Sequence, residues 1–356
     1  MRQPLVLLLL LGACSGGKPA DPPSATDADT DADTDTDTDV DADTDTDTND
    51  TTDTGTPFEV PPVTGDPATV PLAGECELAN KFGSFLVEVY DTDGYSIISG
   101  QALDGVVPIT VLENVGAEGD CVLLKRNNPF CSPQCQGGQT CDFDGNCIPY
   151  PEPQDLGVVT IGGMADPVVM RPVEPGTTYF DSSLTHPIFA EGDLIEMRTH
   201  EQGAFGDLEL HGVGVAPLKL DNLDWNLASG SDFTLTWTPP STEVVRSRIH
   251  LRLTIDQHGT TPISMYCDFE DDGEGVLPSA LLSQLIDSGV TGFPNADITR
   301  RTVDSVSVPG DGCLEFVASA PQNPDPDVQV EGFTPCASPK DCPKGQTCNL
   351  ALQICE

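Results

Sequence analysis

Basic residues are scarce in this sequence: 15 Lys and Arg stand against 58 Asp and Glu, giving a formal net charge of −43. Nucleic-acid binding needs lysines and arginines that displace phosphate counterions, so no nucleic-acid partner is expected. Docking on anionic lipid headgroups is disfavoured for the same reason. Long apolar runs are missing too. Leu5–Leu11 has seven residues, a spanning helix needs about 20, and no other run could cross a bilayer. Catalytic signatures are absent as well. His200-Glu201 has no second histidine at the zincin spacing. There is no Gly-x-Ser-x-Gly elbow and no phosphate-binding glycine loop. His186, His200, His211, His250 and His258 are dispersed, and His250 falls on the polar face of a strand, where solvent exposure is expected. A non-enzyme is therefore expected.

What is present begins at the N-terminus. Arg2 supplies a short positive region, the apolar run follows, and Gly12 and Ala13 precede Cys14. These are the length and flanks of a signal peptide over residues 1–13. Leu11-Gly12-Ala13-Cys14 resembles the lipobox of bacterial lipoproteins, in which the cysteine is acylated and the peptide before it is removed. The resemblance implies membrane attachment through a lipid on Cys14. Ser15 stands where an inner-membrane retention signal would show Asp, which favours the outer membrane or cell surface.

Aspartate then fills every odd position from Asp27 to Asp47, with Thr, Ala or Val40 between. Residues 15–56 hold 14 Asp and one Lys. With no aromatic or long aliphatic side chain to bury, this stretch cannot offset its ordering entropy, and like charges extend it. Residues 14–57 read as the lipidated cysteine and a disordered acidic linker. They resemble the Asp/Thr-rich tethers of myxobacterial-type secreted proteins. A calcium repeat is the rival reading, but calcium loops need glycine turns, and the nearest glycines are Gly17 and Gly55, outside the Asp repeat.

There are 13 cysteines, and setting Cys14 aside leaves 12. An even number in an exported chain implies disulfides. Cys131, Cys135, Cys141 and Cys147 form one cluster; Cys336, Cys342, Cys348 and Cys355 form another. Gly138-Gln139-Thr140-Cys141 and Gly345-Gln346-Thr347-Cys348 mark the clusters as copies of one small module. Each depends on two disulfides in place of a core. The second resembles Dickkopf-type N-terminal cysteine-rich and EB-like repeats, which implies a small extracellular knot. Zinc is the rival; it prefers closely paired cysteine knuckles, and only Cys131/Cys135 approaches that. Of the three pairings open to four cysteines, first-with-third and second-with-fourth is preferred in both. Cys76, Cys121, Cys267 and Cys313 remain, and Cys76–Cys121 with Cys267–Cys313 is the simplest pairing.

The longer segments alternate with period two. Phe233, Leu235 and Trp237 share one face. Ile249, Leu251, Leu253 and Ile255 share another, and Ile263, Met265, Cys267 and Phe269 a third. This is the pattern of half-buried antiparallel strands. Similar runs occur at Phe85–Tyr90, Val106–Leu112, Cys121–Lys125, Val158–Ile161, Leu194–Arg198 and Leu314–Val317. One helix is expected over Pro278–Ser288, stopped by Gly289. The fold class is therefore mainly β: two β-sandwich-like units, two small disulfide-rich knots and the acidic linker. Boundaries are expected at 75–172 for the first β unit, with a cysteine-rich insert at 128–150. A second β-sandwich is expected at 173–320, a linker at 321–333 and the C-terminal module at 334–356.

One acidic loop has partial calcium-loop spacing. Asp268, Glu270 and Asp272 fall at the first, third and fifth positions with Gly273 at the turn, but Ser279 replaces the closing glutamate. Calcium is the one possible cofactor. Asp91–Gly94 and Asp142–Gly145 read as turns. The functional expectation is a cell-envelope lipoprotein displaying a non-catalytic β-rich binding or structural module to an unknown protein or glycan partner. The alternatives are a carbohydrate-active type of hydrolase on a β scaffold, and a disulfide-knot ligand or inhibitor module.

Overall fold

The computed structural model describes residues 58–356 apart from 201–202, 243–244 and 257–262. The expected signal peptide, Cys14 and the acidic linker lie outside the described residues. β1 (Lys81–Tyr90) and β2 (Tyr95–Ala102) form a hairpin about the Asp91–Gly94 turn, and β3 (Leu112–Glu118) and β4 (Cys121–Arg126) form the next. The first cysteine-rich insert contributes β5 (Gln139–Cys141) and β6 (Cys147–Pro149). The chain continues through β7 (Val158–Gly162), β8 (Val168–Met170), β9 (Tyr179–Asp181), β10 (Leu194–His200) and β11 (Glu209–Val213). β12 (Asp224–Leu227), β13 (Phe233–Thr236), β14 (Arg248–Thr254), β15 (Ile263–Glu270) and β16 (Glu274–Leu277) follow. After helix α1 (Ser279–Asp287) come β17 (Asn295–Val308), β18 (Gly312–Pro321), β19 (Asp327–Val330), β20 (Cys348–Asn349) and β21 (Ile354–Cys355). The helix buries Leu281, Leu282, Leu285 and Ile286, the face its spacing sets. The strand expected over Val106–Leu112 is instead a 3-10 turn at Pro108–Thr110, and β3 starts only at Leu112. Pro108 fixes its own φ and has no N–H for a ladder.

Nine strands make one sheet in the order β3-β4-β15-β14-β17-β18-β1-β2-β9, and four make a second in the order β11-β10-β7-β8. The two sandwich-like units are present as two hydrophobic cores under the shared nine-stranded sheet. The first core joins Phe85 and Val87 of β1, Ile98 of β2 and Phe316 of β18 to Ile161 of β7, Met197 of β10 and Leu210 of β11. The second joins Leu251 of β14, Phe269 of β15 and Ile298 of β17 to α1, Trp225, Leu235 and Val328.

The chain does not divide between these cores at residue 172. β4 pairs with β15, and β1 pairs in parallel with β18, so both expected units contribute to each half of the large sheet. Periodicity sets which residues are strands but not which strands are neighbours. Nor is 321–333 a linker throughout. Val328 and Val330 alternate with Asp327 and Gln329, and β19 pairs with β12 to bury both valines.

The twelve described cysteines form six disulfides. Both knots pair first-with-third and second-with-fourth: Cys131–Cys141 and Cys135–Cys147, then Cys336–Cys348 and Cys342–Cys355. The other four correct the simplest pairing. Cys121 faces Cys267 across the β4–β15 ladder with their Cα atoms 4.1 Å apart, and Cys76 joins Cys313 on β18, 237 residues away.

An extended strap precedes β1. Val60 and Val63 lie over Gly162, where a Cβ would come within 2.9 Å of Val63. Arg246 donates to the carbonyls of Pro67 and Val70, and the Ala73 N–H donates to Asp304. The Cys76 N–H donates to Glu315, and the disulfide to Cys313 ends the strap.

At the junction of the cores lies a buried ion pair. The side chains of Arg300 and Asp271 are 2% and 3% exposed. All five guanidinium donors are used. Nε and Nη2 donate to the two oxygens of Asp271 at 2.7 and 3.0 Å. The remaining donors go to the carbonyls of Ala216, Pro217 and Thr238. Asp271 also accepts from Trp237 Nε1 at 2.7 Å and from the Ser247 hydroxyl. Removing one partner of a buried pair costs about 3–5 kcal/mol, whereas replacing both with apolar groups is far milder. Arg300→Met and Asp271→Asn should each lower the unfolding free energy by about 3–5 kcal/mol in urea titrations, and Arg300→Met/Asp271→Leu should recover much of that loss.

Candidate functional site

The acidic loop at the end of β15 is the site that the spacing of its carboxylates singles out. Strand alternation turns Cys267 and Phe269 into the core and leaves Asp268 and Glu270 on the outer face. β14 lies alongside in antiparallel register, with Arg248 opposite Glu270 and His250 opposite Asp268. Arg248 donates to both carboxylates and to the Asp268 carbonyl. Asp272, beyond the strand, caps the turn by accepting from the Glu274 N–H at 3.4 Å. Two of the three calcium candidates thus share Arg248 while the third caps the turn, and a guanidinium occupies the place between Asp268 and Glu270 that a cation would take. Asp271, between Glu270 and Asp272, turns the other way to Arg300.

Arg301 extends the network on the same face. It pairs with Glu75 of the strap, lies 3.6 Å from Asp268, and donates to His250 Nδ1 at 2.6 Å. His250 is half-buried, not exposed. Burial first, and then the charges of Arg301, Lys81 and Arg252, push its pKa down to about 3. The ring is neutral and serves as an acceptor for Arg301, which leaves its proton on Nε2. Sequence alternation places His250 on the outer face correctly but cannot show that the outer face is itself covered by arginines and the strap.

The cysteine modules offer a different surface. In the first, Asp142 accepts from the Asp144 and Asn146 N–H groups and builds the turn between β5 and β6. Phe130 beside it is 82% exposed, and Phe143 and Tyr150 are exposed as well. In the second, Asp341 accepts from Ala337 and Ser338 N–H. Leu350 is exposed there, and Phe293 lies next to Gly292, which donates to the Leu352 carbonyl. Exposed aromatic side chains held on rigid, cross-linked turns present large contact area at low entropy cost. The shared Gly-Gln-Thr-Cys motif marks the modules; the neighbouring aromatics carry no spacing signal of their own.

His250 also sets a pH dependence. An unfolded histidine titrates near about pH 6.5, so between that pH and about 3 the unfolded chain binds a proton that the folded one does not. Stability contributed by the neutral ring is present above the unfolded pKa and is lost as pH falls. His250→Gln should lose stability less steeply than the parent chain on acidification from about pH 7 to about pH 4, the difference in slope approaching one proton. Urea midpoints at intervals across that range would show it; parallel curves would refute it.

No family model and no curated protein matches the chain. Among solved structures, one described as a tetra-tandem repeat in the extending region of a large adhesion protein is similar at 13% identity. The match covers 71% of this chain and 76% of that one, with a TM-score of 0.17. A superposition that loose transfers nothing to this chain.

Proposed function

We propose that this chain is a cell-envelope lipoprotein, held by a lipid on Cys14, that displays a non-catalytic β-rich module for binding or structure. The observation that carries the reading is the use of cysteine. All twelve cysteines after Cys14 are consumed in six disulfides. Such a set is favoured by an oxidising compartment, and it leaves Cys14, at the end of a signal-peptide-like run, as the one cysteine with no cysteine partner to take. Between it and the folded body lies the acidic segment, a spacer that holds the body away from an anionic surface. Among the described residues no helix is long and apolar enough to cross a membrane, so the acyl group is the anchor in this reading. The two cysteine modules, with Phe130, Phe143, Tyr150 and Leu350 exposed, supply the contact surface for a protein or glycan partner.

Mass spectrometry of the mature chain from source-cell membranes, digested without reduction, tests this directly. The expected result is an N-terminal peptide beginning at Cys14 with an acyl mass. A chain that begins elsewhere, or carries Cys14 unmodified, would overturn the reading. Cys14→Ser should move the protein from the membrane fraction to the soluble one.

A further inference from the structure

A second polar cluster lies on the outer face of the four-stranded sheet, away from the acidic loop. Ile195 and Met197 of β10 and Leu210 of β11 point into the first core. The alternate residues therefore point outward: Glu196 and Arg198 from β10, Glu209 and His211 from β11. The ladder sets Glu196 opposite His211 and Arg198 opposite Glu209. Arg198 holds one oxygen of each glutamate, with Nε 2.6 Å from Glu196 Oε1 and Nη2 3.0 Å from Glu209 Oε2. This leaves the other oxygen of each free, and both aim at one atom. His211 Nε2 lies 3.5 Å from Glu196 Oε2 and 3.5 Å from Glu209 Oε1.

The far side of the imidazole is also prepared. Asp304 of β17 accepts from the His211 backbone N–H at 2.8 Å, and its same oxygen lies 4.0 Å from His211 Nδ1. That places a carboxylate on the Nδ1 side of the ring, the outer-shell position beside a metal-bound histidine, and an ion at Nε2 would hold the proton on Nδ1. Three potential ligand atoms, one from each of Glu196, Glu209 and His211, thus lie within 4.8 Å of one another. Glu196 sharpens the point: its side chain is 7% exposed, and its Oε2 faces His211 Nε2 at 3.5 Å. The glutamates and Asp304 outweigh Arg198 by two negative charges when His211 is neutral, which a divalent ion would cancel.

We propose that Glu196, Glu209 and His211 bind a divalent first-row transition ion of the Zn2+ class. Bonds of about 2.0–2.2 Å to nitrogen and oxygen put neighbouring ligands about 3.2–3.6 Å apart at tetrahedral angles, and the observed separations from Nε2 fall there. One imidazole and two carboxylates suit such an ion better than calcium, which takes six to eight oxygens. Glu209 is 47% exposed, so the ion has an entry path and a coordination position open to water. Arg198 acts as an orienting residue, holding each carboxylate by its remote oxygen.

The same face of the acidic loop provides the internal contrast. Glu75, His250 and Asp268 also gather within 4.8 Å, but there Arg301 donates to His250 itself and fills the space. Around His211 the arginine stands behind the glutamates and leaves the centre clear.

The test is a titration of the untagged full chain, stripped with chelator, with Co2+ followed by visible absorption and with Zn2+ followed by calorimetry. One saturable site per chain is expected above the weak background of the acidic segment. Glu209→Gln, at the surface, and His211→Gln, at a side chain 15% exposed, should each weaken that site by about tenfold or more, with the far-ultraviolet dichroism of the parent retained. A parent chain whose Co2+ and Zn2+ titrations match those of His211→Gln would overturn the proposal. So would a saturable site that both variants keep at parental affinity. Neither result depends on whether Cys14 is acylated.

Discussion

The fold turns on the buried Arg300–Asp271 pair. A guanidinium taken out of water survives only if every donor is met, and here the acceptors come from well-separated segments. Asp271 belongs to the β15–β16 turn, Thr238 follows β13, and Ala216 and Pro217 lie in the connection from β11 to β12. That connection is the passage of the chain from the four-stranded sheet to the elements over the second core. A shift of either layer relative to β17 would strand a donor. Hydrophobic burial drives both cores, but it tolerates sliding; the fork of the arginine does not. The pair is best understood as the device that fixes how the two cores meet.

β17 shows the same division of labour along one strand. Its inward residues begin apolar, with Ala296 and Ile298 in the second core. They then become Arg300, Thr302 and Asp304, all buried. Thr302 exchanges hydrogen bonds with the N–H and carbonyl of Val213, and Asp304 accepts from the N–H groups of His211 and Ala73. Strand β11 is an edge of its sheet, and an unpaired edge is a liability. Side chains of β17 satisfy that edge in place of another strand. The longest strand in the described chain was therefore hard to read in sequence, because Arg300, Thr302 and Asp304 interrupt the apolar alternation between Ile298 and Val306. By contrast β14, β15 and α1, whose buried faces are wholly apolar apart from Cys267, could be read residue by residue.

The disulfides divide along the same line. Within each knot the cysteines lie a few residues apart, and local chain geometry restricts the pairings. Cys121–Cys267 and Cys76–Cys313 are set by which strands are neighbours, and nothing local in the sequence expresses that. The candidate sites follow suit. Spacing located the carboxylates at Asp268, Glu270 and Asp272 but could not reveal that Arg248 sits on the first two. Nor could it bring Glu196 and Glu209 to His211, since β10 and β11 are joined by a connection that carries no signal for their register.

The strap meets several of these long-range links. Between Phe58, whose ring lies 4.6 Å from that of His200, and Cys76, the chain makes no ladder of its own. It is held by contacts to β7, Arg246, Asp304, Arg301 and Glu315. Several of these are side chains that also organise the interior: Asp304 at the β11 edge, Arg301 over His250, Glu315 beside Lys81. Tension entering at residue 58 would peel such contacts one at a time, each modest in energy. At Cys76 peeling stops, because the next link is covalent. The load passes to Cys313 and so to β18, which is paired with β17 on one side and β1 on the other. The strand that receives it lies in the interior of the nine-stranded sheet and is buried on both faces, the part of the molecule that local opening reaches last.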